Sequence, residues 1–136
     1  MKPMIGLEKI IEYILSETGC IHPFKLSRII ALAELEYYEE YGERLTNAEY
    51  KGFDKVFYIE GVKELFENNK CFNRREGDPE KGIKGCVEYT CQKPVIPEKY
   101  RQFIDKAIAQ AKNLRDEELN ELVFRNSLFN KFLQSM

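Results

Sequence analysis

Residues 25–50, KLSRIIALAELEYYEEYGERLTNAEY, decide how this 136-residue chain is read. Leu26, Ile29, Ile30, Leu32, Ala33, Leu35, Tyr37 and Tyr38 are too many apolar positions for one helical stripe. They predict a helix packed on two sides, the central strut of the fold. Gly42 supplies the left-handed residue that commonly stops a helix. Thr46 and Glu49 then have capping-box spacing, which predicts a short helix opening at the threonine. The second half of the long helix turns acidic, with Glu34, Glu36, Glu39, Glu40 and Glu43 against Arg44 alone. That run reads as a solvated face, with a docking patch for a basic partner as the alternative.

The pattern extends in both directions. Leu7, Ile10, Ile11, Ile14 and Leu15 fall on one stripe, predicting a helix from about residue 6 to 18 that Gly19 ends. His22 precedes Pro23, and proline suits a first helical position because its missing N–H has no partner there. Beyond the central stretch Gly52 interrupts, residues 55–59 are β-branched and aromatic enough for a strand, and Val62, Leu65 and Phe66 mark a helix ending near Asn69. Between Cys71 and Cys91 the turn-rich run from Gly77 to Gly82 separates two segments that can pair as a β-hairpin. Pro97 opens a helix with Tyr100, Phe103, Ile104, Ala107, Ile108 and Ala111 on one face. A final helix is expected over about residues 115–133, with Asp116, Glu117 and Glu118 complementing its dipole. The expected fold is a single mainly helical α+β domain over residues 1–136: about six helices around a central one, with one small β-hairpin.

Composition sets limits on function. The chain is 43% hydrophobic and 32% charged, enough to build a core without metals or disulfides. A net charge of −2 and a pI near 5.6 give no global attraction to nucleic acid or to an anionic membrane. Charges at Lys2, Glu8, Lys9 and Glu12 interrupt the N-terminal apolar runs, which argues against a signal or membrane segment and for a cytoplasmic protein. With 23 acidic and 21 basic residues, the surface also fits the ion-paired style of hyperthermophile proteins.

The four cysteines, Cys20, Cys71, Cys86 and Cys91, leave several states open. Zinc would need the last three together with Cys20 or His22, yet Cys86 and Cys91, with four residues between them, stand only at the wide limit of C-x2–4-C spacing, and Cys71 is distant. Small buried hydrophobes, or one disulfide clipping the 71–91 segment, are the simpler readings. A disulfide in a cytosolic protein would be ordinary in a hyperthermophile.

With these elements placed, Lys25-Leu26, Ile29-Ile30, Leu32, Tyr37, Gly42, Leu45-Thr46 and Tyr50 form the pattern K-L-x-x-I-I-x-L, an aromatic, then G-x-x-L-T-x-x-x-Y. This resembles the Panacea antitoxin domain, a helical family also known from phage-associated proteins. Arg115 to Leu119 looks like that family's late acidic helix start. Where the family has a Gly-Pro step after the tyrosine, this chain has Phe57 to Gly61. The resemblance implies a protein-binding role, neutralising or adapting a protein partner such as a toxin, without an active site. The apolar positions of the pattern are also what any such helix needs to bury its core.

The expected partner-binding residues are Tyr38, Tyr41, Glu39, Glu43, Phe53 and Tyr58, since tyrosine offers large contact area with few rotors and a hydrogen-bonding tip. Tyr37 and Tyr50 are expected to pack instead. The alternative is a winged-helix DNA-binding regulator with a wing over residues 72–89, whose phosphate contacts would be Lys70, Arg74, Arg75, Lys81 and Lys84. The helix before it carries Glu64 and Glu67 beside Lys63, a poor face for a phosphate-lined groove. His22 is the single histidine and reads as a helix-entry residue; Ser16, Ser27 and Ser127 lack an activating motif. No enzyme, cofactor or metal is expected.

Overall fold

The apolar excess of the central stretch is accommodated as expected. In the computed structural model of the protein, which describes residues 4–134, helix α2 runs Pro23–Tyr41 and every residue from Leu26 to Leu35 is buried. The order of elements is α1 (Leu7–Thr18), α2, β1 (Tyr50–Phe53), β2 (Val56–Ile59), α3 (Val62–Asn68), β3 (Phe72–Arg75), β4 (Cys86–Tyr89), α4 (Glu98–Lys112), α5 (Asp116–Arg125), α6 (Phe129–Phe132) and β5 (Leu133–Gln134). Helix α2 packs most extensively on α4, then on α5, with α1 and β2 completing its surroundings. The inward face of α4 is Ile104, Ala107, Ile108 and Ala111, and that of α5 is Leu119 and Val123. The fold is thus the mainly helical α+β class expected.

The helix ends follow local chemistry. His22 Nδ1 accepts from the Phe24 N–H at 3.0 Å, so the histidine caps α2 while Pro23 takes a position that needs no donor. At the other end Gly42 adopts φ 68°, and its N–H returns to the Tyr38 carbonyl. The final helix is broken where a continuous one was expected. Asn126 folds its side-chain carbonyl onto the Leu128 N–H at 3.0 Å, and this local turn competes with helix and separates α5 from α6.

Two further expectations are corrected around Glu34. It does not belong to a solvated acidic face: it is fully buried and accepts five hydrogen bonds. Oε1 receives Arg44 Nη2 (2.9 Å), Thr46 Oγ1 (2.5 Å) and Tyr50 OH (3.3 Å); Oε2 receives the Leu45 and Thr46 N–H groups (2.5 and 3.1 Å). Thr46 therefore directs its hydroxyl at the carboxylate and accepts from the Ala48 N–H, and no helix starts there. The turn held in this way grips the N-terminal segment, with the Ile5 N–H donating to the Leu45 carbonyl and the Leu7 N–H to Asn47 Oδ1, both at 2.8 Å.

The chain that follows enters a sheet instead of a helix. β1 pairs antiparallel with β2 and parallel with β5, in the order β2-β1-β5, so the described residues form two hairpins and not one. The second hairpin, β3–β4, has the expected location, with a 3₁₀ turn at Pro79–Lys81 in its connection. All four cysteines are in disulfides. Cys20–Cys86 ties the α1–α2 connection to β4, beside reciprocal backbone bonds between Ile21 and Val87; Cys71–Cys91 closes the base of the β3–β4 hairpin. No helix among the described residues is long and apolar enough to cross a membrane.

Unfolding experiments can weigh both kinds of link. Glu34→Gln keeps the volume but strips the charge that satisfies a buried cluster, and should cost about 3–5 kcal/mol in urea unfolding; a loss under about 1 kcal/mol would mean that the turn holds itself. The Cys20–Cys86 bridge spans 66 residues and the Cys71–Cys91 bridge 20, so their removal should cost about 4 and about 3 kcal/mol in loop entropy. Thermal midpoints of the two double-serine variants should fall in that order, and the reverse order would put hairpin packing above loop closure.

Candidate protein-binding site

The β1–β2 hairpin is built by a tight turn and one glycine. Asp54 and Lys55 both have positive φ, 53° and 65°, the geometry of a two-residue turn that matches the twist of its strands. Aspartate tolerates that region and lysine does not favour it, and α5 holds the turn: Asn120 Nδ2 donates to the Lys55 carbonyl at 2.9 Å, and Lys55 reaches Glu121 at 3.3 Å. At Gly52 (φ 154°) a Cβ would lie 2.0 Å from the Val56 carbonyl oxygen, so only glycine fits. Alternation then sorts the faces. Phe57 and Ile59 turn inward, and Phe57 meets the rings of Tyr50, Phe124 and Phe129. Val56 and Tyr58 turn outward with Phe53, which sits directly across from Val56. Phe53 is 64% exposed, Val56 65% and Tyr58 47%, a cluster of apolar side chains spanning β1 and the edge strand β2.

The expected binding residues divide between two places. Phe53 and Tyr58 share the hairpin face. Tyr41 lies at the far end of α2 against α4, 40% exposed, stacked near Tyr37 and Phe103, with the Lys99 ammonium 4.5 Å above its ring. Tyr38 is half-buried, edge-on to Phe132. Glu39 is exposed but accepts from Asn126 Nδ2 at 2.9 Å, and Glu43 is half-buried. Tyr37 and Tyr50 lie in the core. Burial, with the Glu34 charge adding to it, raises the Tyr50 phenol well above its ordinary pKa.

The basic residues of the β3–β4 hairpin are partly neutralised. Arg75 pairs with Glu88 at 3.0 Å and Lys84 with Asp116 at 2.6 Å. Lys70, Arg74 and Lys81 are exposed and have no ion-pair partner among the described residues. The preceding helix, α3, has seven residues, two turns, and keeps Glu64 and Glu67 at its surface.

Behind the hairpin Arg28 is 3% exposed, its guanidinium between the rings of Phe24 (3.7 Å) and Phe57 (4.0 Å). Nε and Nη2 donate to Asn120 Oδ1, and Nη1 to Ser27 Oγ and to the Phe57 carbonyl. Arginine thus occupies a carbonyl of the edge strand and fixes it to α2. Burial pulls the Arg28 pKa down to about 10, against the opposing field of Asp116.

Compared with known proteins, the chain matches no family model, no curated protein and no solved structure. The residues that carry the family resemblance are themselves mostly interior: Leu26, Ile29, Ile30, Leu32, Tyr37, Leu45, Thr46 and Tyr50 are all buried. Sequence reasoning missed Val56, although its two-residue spacing from Tyr58 was the signal. It also missed Arg28, whose signal was a lone cation among buried aliphatic positions. Since the face depends on the close approach at Gly52, Gly52→Ala should destabilise the protein by more than about 1 kcal/mol and expose the hairpin amides to hydrogen exchange. Unchanged exchange would show that the strands can separate around a methyl group.

Proposed function

We propose that the protein is a non-catalytic protein-binding domain, antitoxin-like, that docks a protein partner on the outward face of its β1–β2 hairpin. The observation that carries this reading is the exposed trio Phe53, Val56 and Tyr58, held by a rigid turn on the edge of a small sheet. Aromatic and aliphatic side chains so placed form the anchor of an interface. The resemblance over residues 25–50 adds the class of partner, a protein toxin. Tyr41 and the acidic end of α2 supply a second, smaller contact area for the same partner.

A cytoplasmic location belongs to the proposal as well. It has to accommodate two disulfides, which persist in the cytosol of hyperthermophiles, and surface pairs such as Lys106–Glu36 and Lys51–Glu60 fit that setting. DNA binding through the β3–β4 hairpin ranks second, because two of its five cations are already paired and α3 is short and acidic.

Capture from nuclease-treated source-cell lysate tests the reading. The wild-type protein should retain a stoichiometric small protein in high salt, and Phe53→Thr/Tyr58→Thr, which keeps β-propensity, should reduce that retention by roughly tenfold or more. Equal retention by the variant would remove the hairpin face from consideration. Recovery of nucleic acid that is lost on raising salt would move DNA binding into first place.

A further inference from the structure

The first turns of α2, strand β2 and helix α3 enclose a groove of about 380 Å3, within the range of small-molecule sites. Its floor is carbon-rich, with Leu26, Ile30, Ile59 and Phe66. Its charged lining is one-signed: Arg28, Lys63 and Arg74 contribute cations, and no carboxylate among the described residues lines it.

Arg28 is the unusual member. A buried guanidinium normally faces an acid, yet all its hydrogen-bond acceptors are neutral oxygens, and Nη2 makes one bond where it has two N–H groups. Asp116, the acid whose field reaches it, is bonded to Lys84. Lys63 and Arg74 have no ion-pair partner among the described residues either. Three cations around an apolar floor favour one kind of occupant, a molecule that brings a charge of opposite sign to the cations and an apolar body to the floor.

We propose that this groove binds a small amphiphilic anion, an apolar chain or ring ending in a carboxylate. The carboxylate meets Arg74 and Lys63 at the mouth within the field of Arg28, and the apolar body covers the floor. Tyr58 borders both the groove and the docking face, but the proposal does not rest on the protein-binding reading: Lys63 and Arg74 lie outside the exposed trio, so a wild-type protein that captured no partner would still be open to the anion test.

Titration calorimetry of the full chain with decanoate and with decan-1-ol, each below its aggregation limit, tests this directly. The two probes share a tail and differ in the charge of the head. Decanoate should saturate at one site, at least roughly tenfold tighter than the alcohol, and should weaken as salt rises. Lys63→Ala/Arg74→Ala, both surface changes, should shrink the ratio to about twofold or less while leaving alcohol binding unchanged. Val62→Trp, which fills the groove, should abolish both at an unchanged thermal midpoint. Absence of saturable decanoate binding, equal affinity for the two probes, or a ratio indifferent to the double variant would each overturn the proposal.

Discussion

Glu34 is the constraint on which the other regions of the molecule depend. A carboxylate buried in the middle of a protein is costly unless donors surround it, and here five of them do. The donors come from Arg44, Leu45, Thr46 and Tyr50, so the cluster dictates the path of the chain as it leaves α2. Everything near that path is positioned by it. The N-terminal segment bonds to Leu45 and Asn47, β1 starts at Tyr50, and β5 pairs with β1 in turn. One side chain therefore coordinates both ends of the described chain with its centre.

Arg28 has the complementary role nearer the start of the same helix. It is a buried cation held by neutral acceptors, and it fastens the edge strand where Glu34 fastens the loop before it. Asn120 links it onward, accepting from the guanidinium and donating to the carbonyl of Lys55 in the turn. The two buried charges thus fix the two ends of the hairpin, and the apolar face between them has little freedom to collapse into the core. That rigidity keeps the aromatic side chains of Phe53 and Tyr58 exposed.

The helices were legible because burial by packing leaves a period in the sequence: residues 7–15, 26–37 and 100–111 each announce a face. His22 and Gly42 declared the ends of α2 through chemistry that is purely local. What escaped was set by distant partners. Thr46 and Glu49 have the spacing of a helix cap, and a carboxylate 12 residues upstream claimed the hydroxyl. Glu34 looked like its acidic neighbours because nothing in its immediate surroundings names its donors. Tyr50–Phe53 is too short to show alternation, and its glycine, which permits the close approach of β2, reads from sequence as an interruption. The disulfide pairing is likewise absent from local pattern, since four cysteines allow three connectivities. Of the candidate site, Phe53 and Tyr58 were visible as aromatics, and their separation from Tyr41 was not.

The Cys20–Cys86 bridge has a mechanical meaning. A force applied at the two ends of the chain passes from Cys20 through the sulfurs to Cys86 and bypasses the segment between them. That segment contains α2, the β1–β2 hairpin, α3 and β3, which together form the exposed face and the groove. About 220–240 Å of contour length is therefore withheld from extension while the bridge is intact. Tension from threading, translocation or a pulling partner would strip α1 and the C-terminal helices first, leaving the covalently closed loop off the load path until it is reduced.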